Sequence, residues 1–75
     1  MNKFVIKDTY ITLGQLLKAT GLIGSGGEAK FFLLDNHVFL NGERRTERGK
    51  KIYPGDVVSV LDQTFVISND QNHQP

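Results

Sequence analysis

The chain has 75 residues, 39% of them hydrophobic and 23% charged, which fits one globular domain with a small core. Such a length buries only about 60–65% of the extended surface, and the lack of cysteine excludes disulfides, thiolate metal sites and cysteine nucleophiles. The net charge of +1 conceals an asymmetry: Arg44, Arg45, Arg48, Lys50 and Lys51 crowd one short stretch, opposed there only by Glu43 and Glu47.

In chain order, Phe4-Val5-Ile6 is aromatic and β-branched and predicts a short strand ended by Asp8-Thr9. Thr12-Leu13-Gly14-Gln15 matches a capping box with Thr12 as N-cap. Leu13, Leu16 and Leu17 follow at helical spacing, and Gly21 supplies the stop. A second capping box is read at Ser25-Gly26-Gly27-Glu28. It opens a helix whose inward stripe is Ala29, Phe32 and Leu33 and whose left-handed end is Asn36.

Beyond Asn36 the period changes to two. Val38 and Leu40 point one way and Phe39 the other, and Asn41-Gly42 predicts a tight turn into a basic hairpin. Pro54-Gly55-Asp56 predicts another turn, Val58 and Val60 a strand, and Phe65-Val66-Ile67 a last strand after the bend at Leu61-Asp62-Gln63. The class is α+β: two short packed helices against a small bent, mostly antiparallel sheet. Residues 1–68 are expected to form the domain, and 69–75 a flexible polar tail. No apolar run approaches the eighteen or so residues of a membrane span, and no export signal is visible, so a cytoplasmic protein is expected.

Taken in order, Thr12-Leu13-Gly14-Gln15-Leu16-Leu17, Ser25-Gly26-Gly27-Glu28-Ala29-Lys30, Val38-Phe39-Leu40-Asn41-Gly42, Arg48-Gly49-Lys50-Lys51 and Pro54-Gly55-Asp56-Val57-Val58 resemble the S4 domain. More narrowly, the set is similar to the small stand-alone bacterial S4 proteins of the YaaA type, over roughly Ile11 to Val60. The resemblance implies an S4-like fold and RNA as ligand, ribosomal RNA being one candidate. The chain departs from the larger family's pattern at Thr12 and Gly26, where arginines are common, while Lys30 stands in for a further arginine.

The residues themselves offer a polyanion site and a bland alternative at each position. Ser25, Gly26 and Gly27 open a helix without side-chain bulk, so a phosphate can approach, with Lys30 a turn further on; equally, they only join two helices. The stretch lacks the Gly-Lys-Ser/Thr ending of a nucleotide-binding loop. Arg44, Arg45, Arg48, Lys50 and Lys51 can track a nucleic-acid backbone. Three to five such contacts give a counterion-release slope of about −2 to −5, and the alternative is a solvated hairpin neutralised by Glu43 and Glu47. Phe31, beside Lys30, either stacks on an unpaired base or packs beneath the N-terminal strand, the commoner fate. Phe39 faces the same choice, and Tyr53 is a weaker candidate. His37 reads as a turn residue rather than a metal ligand, and Asp56 as the stabiliser of its own turn.

No carboxylate pair, serine–histidine set or metal-ligand spacing emerges, so neither catalysis nor a cofactor is expected. The leading expectation is a monomeric, non-catalytic module that recognises structured RNA through the start of the second helix and the basic hairpin. The alternative is a protein-interaction adaptor on the same fold, tied to replication or repair. A ubiquitin-like sulfur carrier is not expected, since such carriers need a C-terminal Gly-Gly and the sequence reads Gln74-Pro75 there.

Overall fold

The computed structural model describes residues 2–69. The elements run β1 (Asn2–Ile6), β2 (Ile11–Thr12), α1 (Leu13–Ala19), a 3-10 turn (Gly26–Glu28), α2 (Ala29–Asp35), β3 (Val38–Leu40), β4 (Glu43–Arg44), β5 (Lys51–Ile52), β6 (Val57–Val60) and β7 (Gln63–Asn69). Five strands form one sheet in the order β1-β7-β6-β3-β4, and β2 pairs with β5 in a separate two-stranded ribbon. The architecture is the expected α+β one, with one refinement. β1 joins β7 in parallel, Phe4 opposite Ile67, whereas the remaining pairings are antiparallel. Residues 70–75 of the expected tail lie outside the described residues, and β7 continues to Asn69.

One core unites helices and sheet. Leu13, Leu16 and Leu17 from α1, Ala29 and Leu33 from α2, and Val38, Val58, Val60 and Ile67 from the sheet are all buried. Each helix has only seven residues, too short to persist alone, so this burial is what holds them.

Two predicted termini form as read. Thr12 accepts from the Gln15 amide at 3.2 Å while the Gln15 side chain accepts from the Thr12 amide at 2.9 Å, completing the capping box. At the other end, Leu22 N–H donates to the Leu17 carbonyl and Gly21 N–H to that of Lys18, with Gly21 at φ +82°. This is the paired-bond helix stop in which glycine avoids the left-handed penalty.

The second helix differs from expectation at both ends. Ser25 makes no side-chain capping bond, and the Glu28 carboxylate instead accepts from the Gly24 amide at 2.8 Å. The tighter turn through Gly26 and Gly27 displaces the helix start to Ala29, so the reciprocal pair cannot close. Asn36 is extended (φ −127°) rather than left-handed, because β3 starts only two residues later. Its side-chain amide still donates to the Phe32 carbonyl at 3.2 Å.

Asn41-Gly42 makes the expected turn, with φ of 53° and 86°. The Asn41 side chain also fastens the neighbouring turn, accepting from the Val57 amide at 2.9 Å and donating to Asp56 at 3.0 Å. Asp56 in turn accepts from the Tyr53 amide at 2.8 Å, so the carboxylate is occupied in turn formation. Replacing Asn41 with alanine removes these bonds and the side chain best suited to its backbone. The unfolding free energy is expected to drop by about 1–3 kcal/mol. In a domain of this size that lowers the melting midpoint by roughly 4–8 °C for each kcal/mol, which thermal circular dichroism measures.

Candidate nucleic-acid interface

The basic stretch is not a hairpin. β4 pairs with β3 and β5 with β2, so residues 45–50 are a loop carrying the chain from the large sheet to the ribbon. The reason lies in the start of α1. The first amide groups of a helix have no partner within it, and here they take carbonyls of the basic loop. Leu13 N–H donates to Lys50 at 2.9 Å and Gly14 N–H to Arg48 at 2.8 Å.

Gly14 makes that approach possible. A Cβ at this position would lie 3.3 Å from the Arg48 carbonyl oxygen, 3.4 Å from the Arg48 Cβ and 3.6 Å from the Ala29 Cβ. The loop, the start of α1 and the start of α2 therefore meet at one residue without a side chain. Together Thr12, Gly14, Gln15, Gly26, Ala29, Arg48 and Gly49 line an open hollow of about 340 Å³. The second helix's approach and part of the basic loop thus open onto one surface.

The five clustered cations have separate fates. Arg48 is exposed, and among the described residues no carboxylate lies within salt-bridge distance of it. Arg45 folds back, bonded to Glu43 at 3.4 Å and Glu47 at 3.3 Å, with only 25% of its side chain exposed. Arg44 is exposed but sits opposite Phe39 in the β3–β4 register, on the sheet face turned from the core and away from the hollow. Lys50 and Lys51 line a different depression together with Arg45, Tyr53 and two carboxylates, Glu43 and Asp56. Lys51 also places its ammonium 4.9 Å from the centre of the Tyr10 ring. A run of like charges in sequence is thus divided among three surroundings.

Ser25, Gly26, Gly27 and Lys30 are all exposed. Phe31 does not pack beneath β1: it is 65% exposed, and Leu34, one turn on, is 61% exposed. A seven-residue helix that buries Ala29 and Leu33 and half-buries Phe32 leaves these two on its outer side. Phe39 is half-buried, with its ring edge-on to His37. Among the described residues no group of three potential metal ligands occurs, and no helix is long and apolar enough to cross a membrane. The residue that sequence reasoning missed is Gly14, read there only as part of a capping box. Its i+2 position from the N-cap gave no sign of a contact with residues far along the chain.

The family model of the S4 domain matches residues 4–68. The chain belongs to the S4 domain family. It is also similar to the probable ribosome maturation protein RlbA of Bacillus subtilis (strain 168), with 48% identity over 59 residues, covering 79% of this chain and 83% of that protein. The match takes in every element of this S4 domain from Phe4 onward, including Gly14 and the loop that lies against it.

The loop lowers the pKa of the Glu47 carboxyl below the ordinary glutamate range. Its own backbone N–H is the largest influence and lowers it; desolvation, the second largest, opposes this, and Arg45, the Thr46 amide and Lys50 each add to the lowering. Because the folded value is the lower one, its contribution to loop order is full above the ordinary carboxylate range and disappears as the pH falls through the folded value. The protection of the residue 45–50 amides, relative to their intrinsic exchange at each pH, is expected to fall over that acid window in the native protein and to lose this extra dependence in Glu47→Gln.

A bulkier residue at the junction is expected to act on the loop directly. Gly14→Val forces the Arg48 backbone outwards, at a cost of about 1–3 kcal/mol for overpacking. Chemical denaturation measures that loss, and the amide shifts of Arg48 and Gly49 should move more than those of β6.

Proposed function

We propose that this protein is a non-catalytic RNA-binding module that recognises structured RNA in a ribosome-related setting. The observation that carries this reading is the shared hollow. The Gly26 backbone, the start of α1 and the unpaired Arg48 line one concave surface. Membership of the S4 family supports RNA as the ligand, and the ribosome maturation protein of Bacillus subtilis supports ribosomal RNA as its class.

In this reading Arg48 supplies the central phosphate contact, and the exposed backbone of Ser25, Gly26, Gly27 and Gly49 lets the RNA backbone approach closely. Lys30 and Lys50 flank the contact and hold the duplex by charge, and Lys51 extends the basic surface towards Tyr10. Arg44 and Arg45 contribute little: one stands on another face, and the other is held by two carboxylates. Phe31, exposed beside Lys30, is placed to stack on an unpaired base. Recognition by backbone geometry rather than base edges suits double-stranded RNA, whose major groove is too narrow for side chains. The two arginines common in the larger family are absent, so affinity rests on fewer charges: it is lower at a given salt concentration, with a correspondingly smaller salt slope.

One observation favours a second reading, a protein-interaction adaptor on the same fold: Phe31 and Leu34 form an exposed apolar pair one turn apart. The two readings differ in their response to salt. An RNA contact weakens steeply as salt rises, each phosphate contact adding about 0.7–0.9 to the slope. Arg48→Ala is expected to weaken binding to a structured RNA at every salt concentration and to lower the slope by about one contact. Phe31→Ala should leave the slope unchanged. A salt-tolerant complex lost on Phe31→Ala and indifferent to Arg48→Ala would establish the adaptor instead.

A further inference from the structure

The ribbon formed by β2 and β5 has two unlike faces. Ile11 lies opposite Ile52, which is completely buried, so that face is turned into the core. Thr12 lies opposite Lys51 on the other face. Side chains alternate along a strand, so Tyr10 and Tyr53 extend the outer face beyond the register pair Ile11–Ile52. Their ring centroids are 5.7 Å apart at an interplanar angle of 51°. Tyr10 is 38% exposed and Tyr53 is 44% exposed, although both belong to a domain with little apolar surface to spare.

Thr12 and Arg48 line the hollow at one end of this face, and the tyrosine pair stands at the other. The separation is the length of a two-residue strand, about 7 Å. Lys51, opposite Thr12 at the hollow end, reaches along the face and places its ammonium over the Tyr10 ring. Both carboxylates of the depression that Lys51 and Tyr53 line are engaged: Asp56 with the Tyr53 amide and Asn41, and Glu43 with Arg45.

We propose that Tyr10 and Tyr53 form a base-stacking subsite that receives an unpaired nucleotide next to an RNA duplex seated at the hollow. Lys51 holds the phosphate of that nucleotide. The preferred ligand is then a junction between duplex and single strand rather than a continuous duplex. The inference rests on the RNA reading above and adds to it the class of RNA. An aromatic pair serving only to pin the ribbon would be satisfied without exposure of both rings. An exposed ring pair beside a cation, continuous with a phosphate site, matches the combination by which single-stranded nucleic acids are held.

The chain offers a direct reporter, because it contains two tyrosines and no tryptophan, so its intrinsic emission comes from this pair alone. The full chain is titrated with a hairpin RNA bearing a short single-stranded overhang, and with the same RNA whose overhang carries abasic sugars. The two probes have equal charge. The base-bearing overhang is expected to bind about tenfold more tightly, the scale of one stacked base, and to quench tyrosine emission. Tyr53→Leu should bring its affinity down to that of the abasic probe with the salt slope unchanged, while Tyr53→Phe retains the difference. Circular dichroism checks that each variant is folded, and Tyr10→Leu gives an independent readout. Equal affinities for the two probes, with unaltered emission, overturn the subsite while the phosphate site stands. Binding to neither probe removes both proposals. A salt-tolerant protein partner lost in Tyr53→Leu, with both RNA affinities unchanged, also overturns it.

Discussion

Two hydrogen bonds organise the functional surface: Leu13 N–H to Lys50 and Gly14 N–H to Arg48. They join the free amides at the start of α1 to a loop encoded more than thirty residues later. Satisfying these amides with backbone carbonyls leaves the Arg48 side chain free to face outwards. Glycine at position 14 lets the two backbones come this close without crowding, whereas a Cβ there would press on the Arg48 carbonyl at 3.3 Å while Ala29 packs alongside. The same contact that completes the helix therefore also presents Arg48 beside Gly26.

This arrangement explains why total charge says so little about the protein. Arg45 is spent on Glu43 and Glu47, Arg44 stands on another face, and Lys51 lies over Tyr10. What remains at the hollow is a small, defined set of groups, with Arg48 at its centre. A domain with a small core cannot organise a large binding surface from side chains alone. Here a loop clamped through its backbone performs that task, and the helices supply the floor.

The local parts of this structure were legible in the sequence. Thr12 and Gln15 cap each other within one turn, Gly21 ends its helix by a bond pattern of the same range, and Asn41-Gly42 needs only two backbone angles. Leu33, Val38, Val58 and Val60 were readable as core from their spacing alone. The non-local parts were not. β1 joins the far edge of the sheet in parallel with β7, a pairing that hydrophobic alternation in Phe4-Val5-Ile6 does not specify. The basic stretch alternates little and carries no pairing signal, so its division between a sheet and a ribbon depends on α1. Ser25 had the right neighbour in Glu28, but two glycines tightened the turn and sent that carboxylate to Gly24. The exposure of Phe31 follows from the length of α2 and from where β1 runs, neither of which its immediate neighbours encode.

The most direct test of the account is a map of backbone amide shifts when the isotope-labelled chain is titrated with a structured RNA at low salt. The largest changes are expected at Gly14, Gly26, Arg48 and Gly49, fading as salt is added. Changes confined to Phe31, Leu34 and the outer face of β3 and β4, with the Gly14 junction silent, would contradict it.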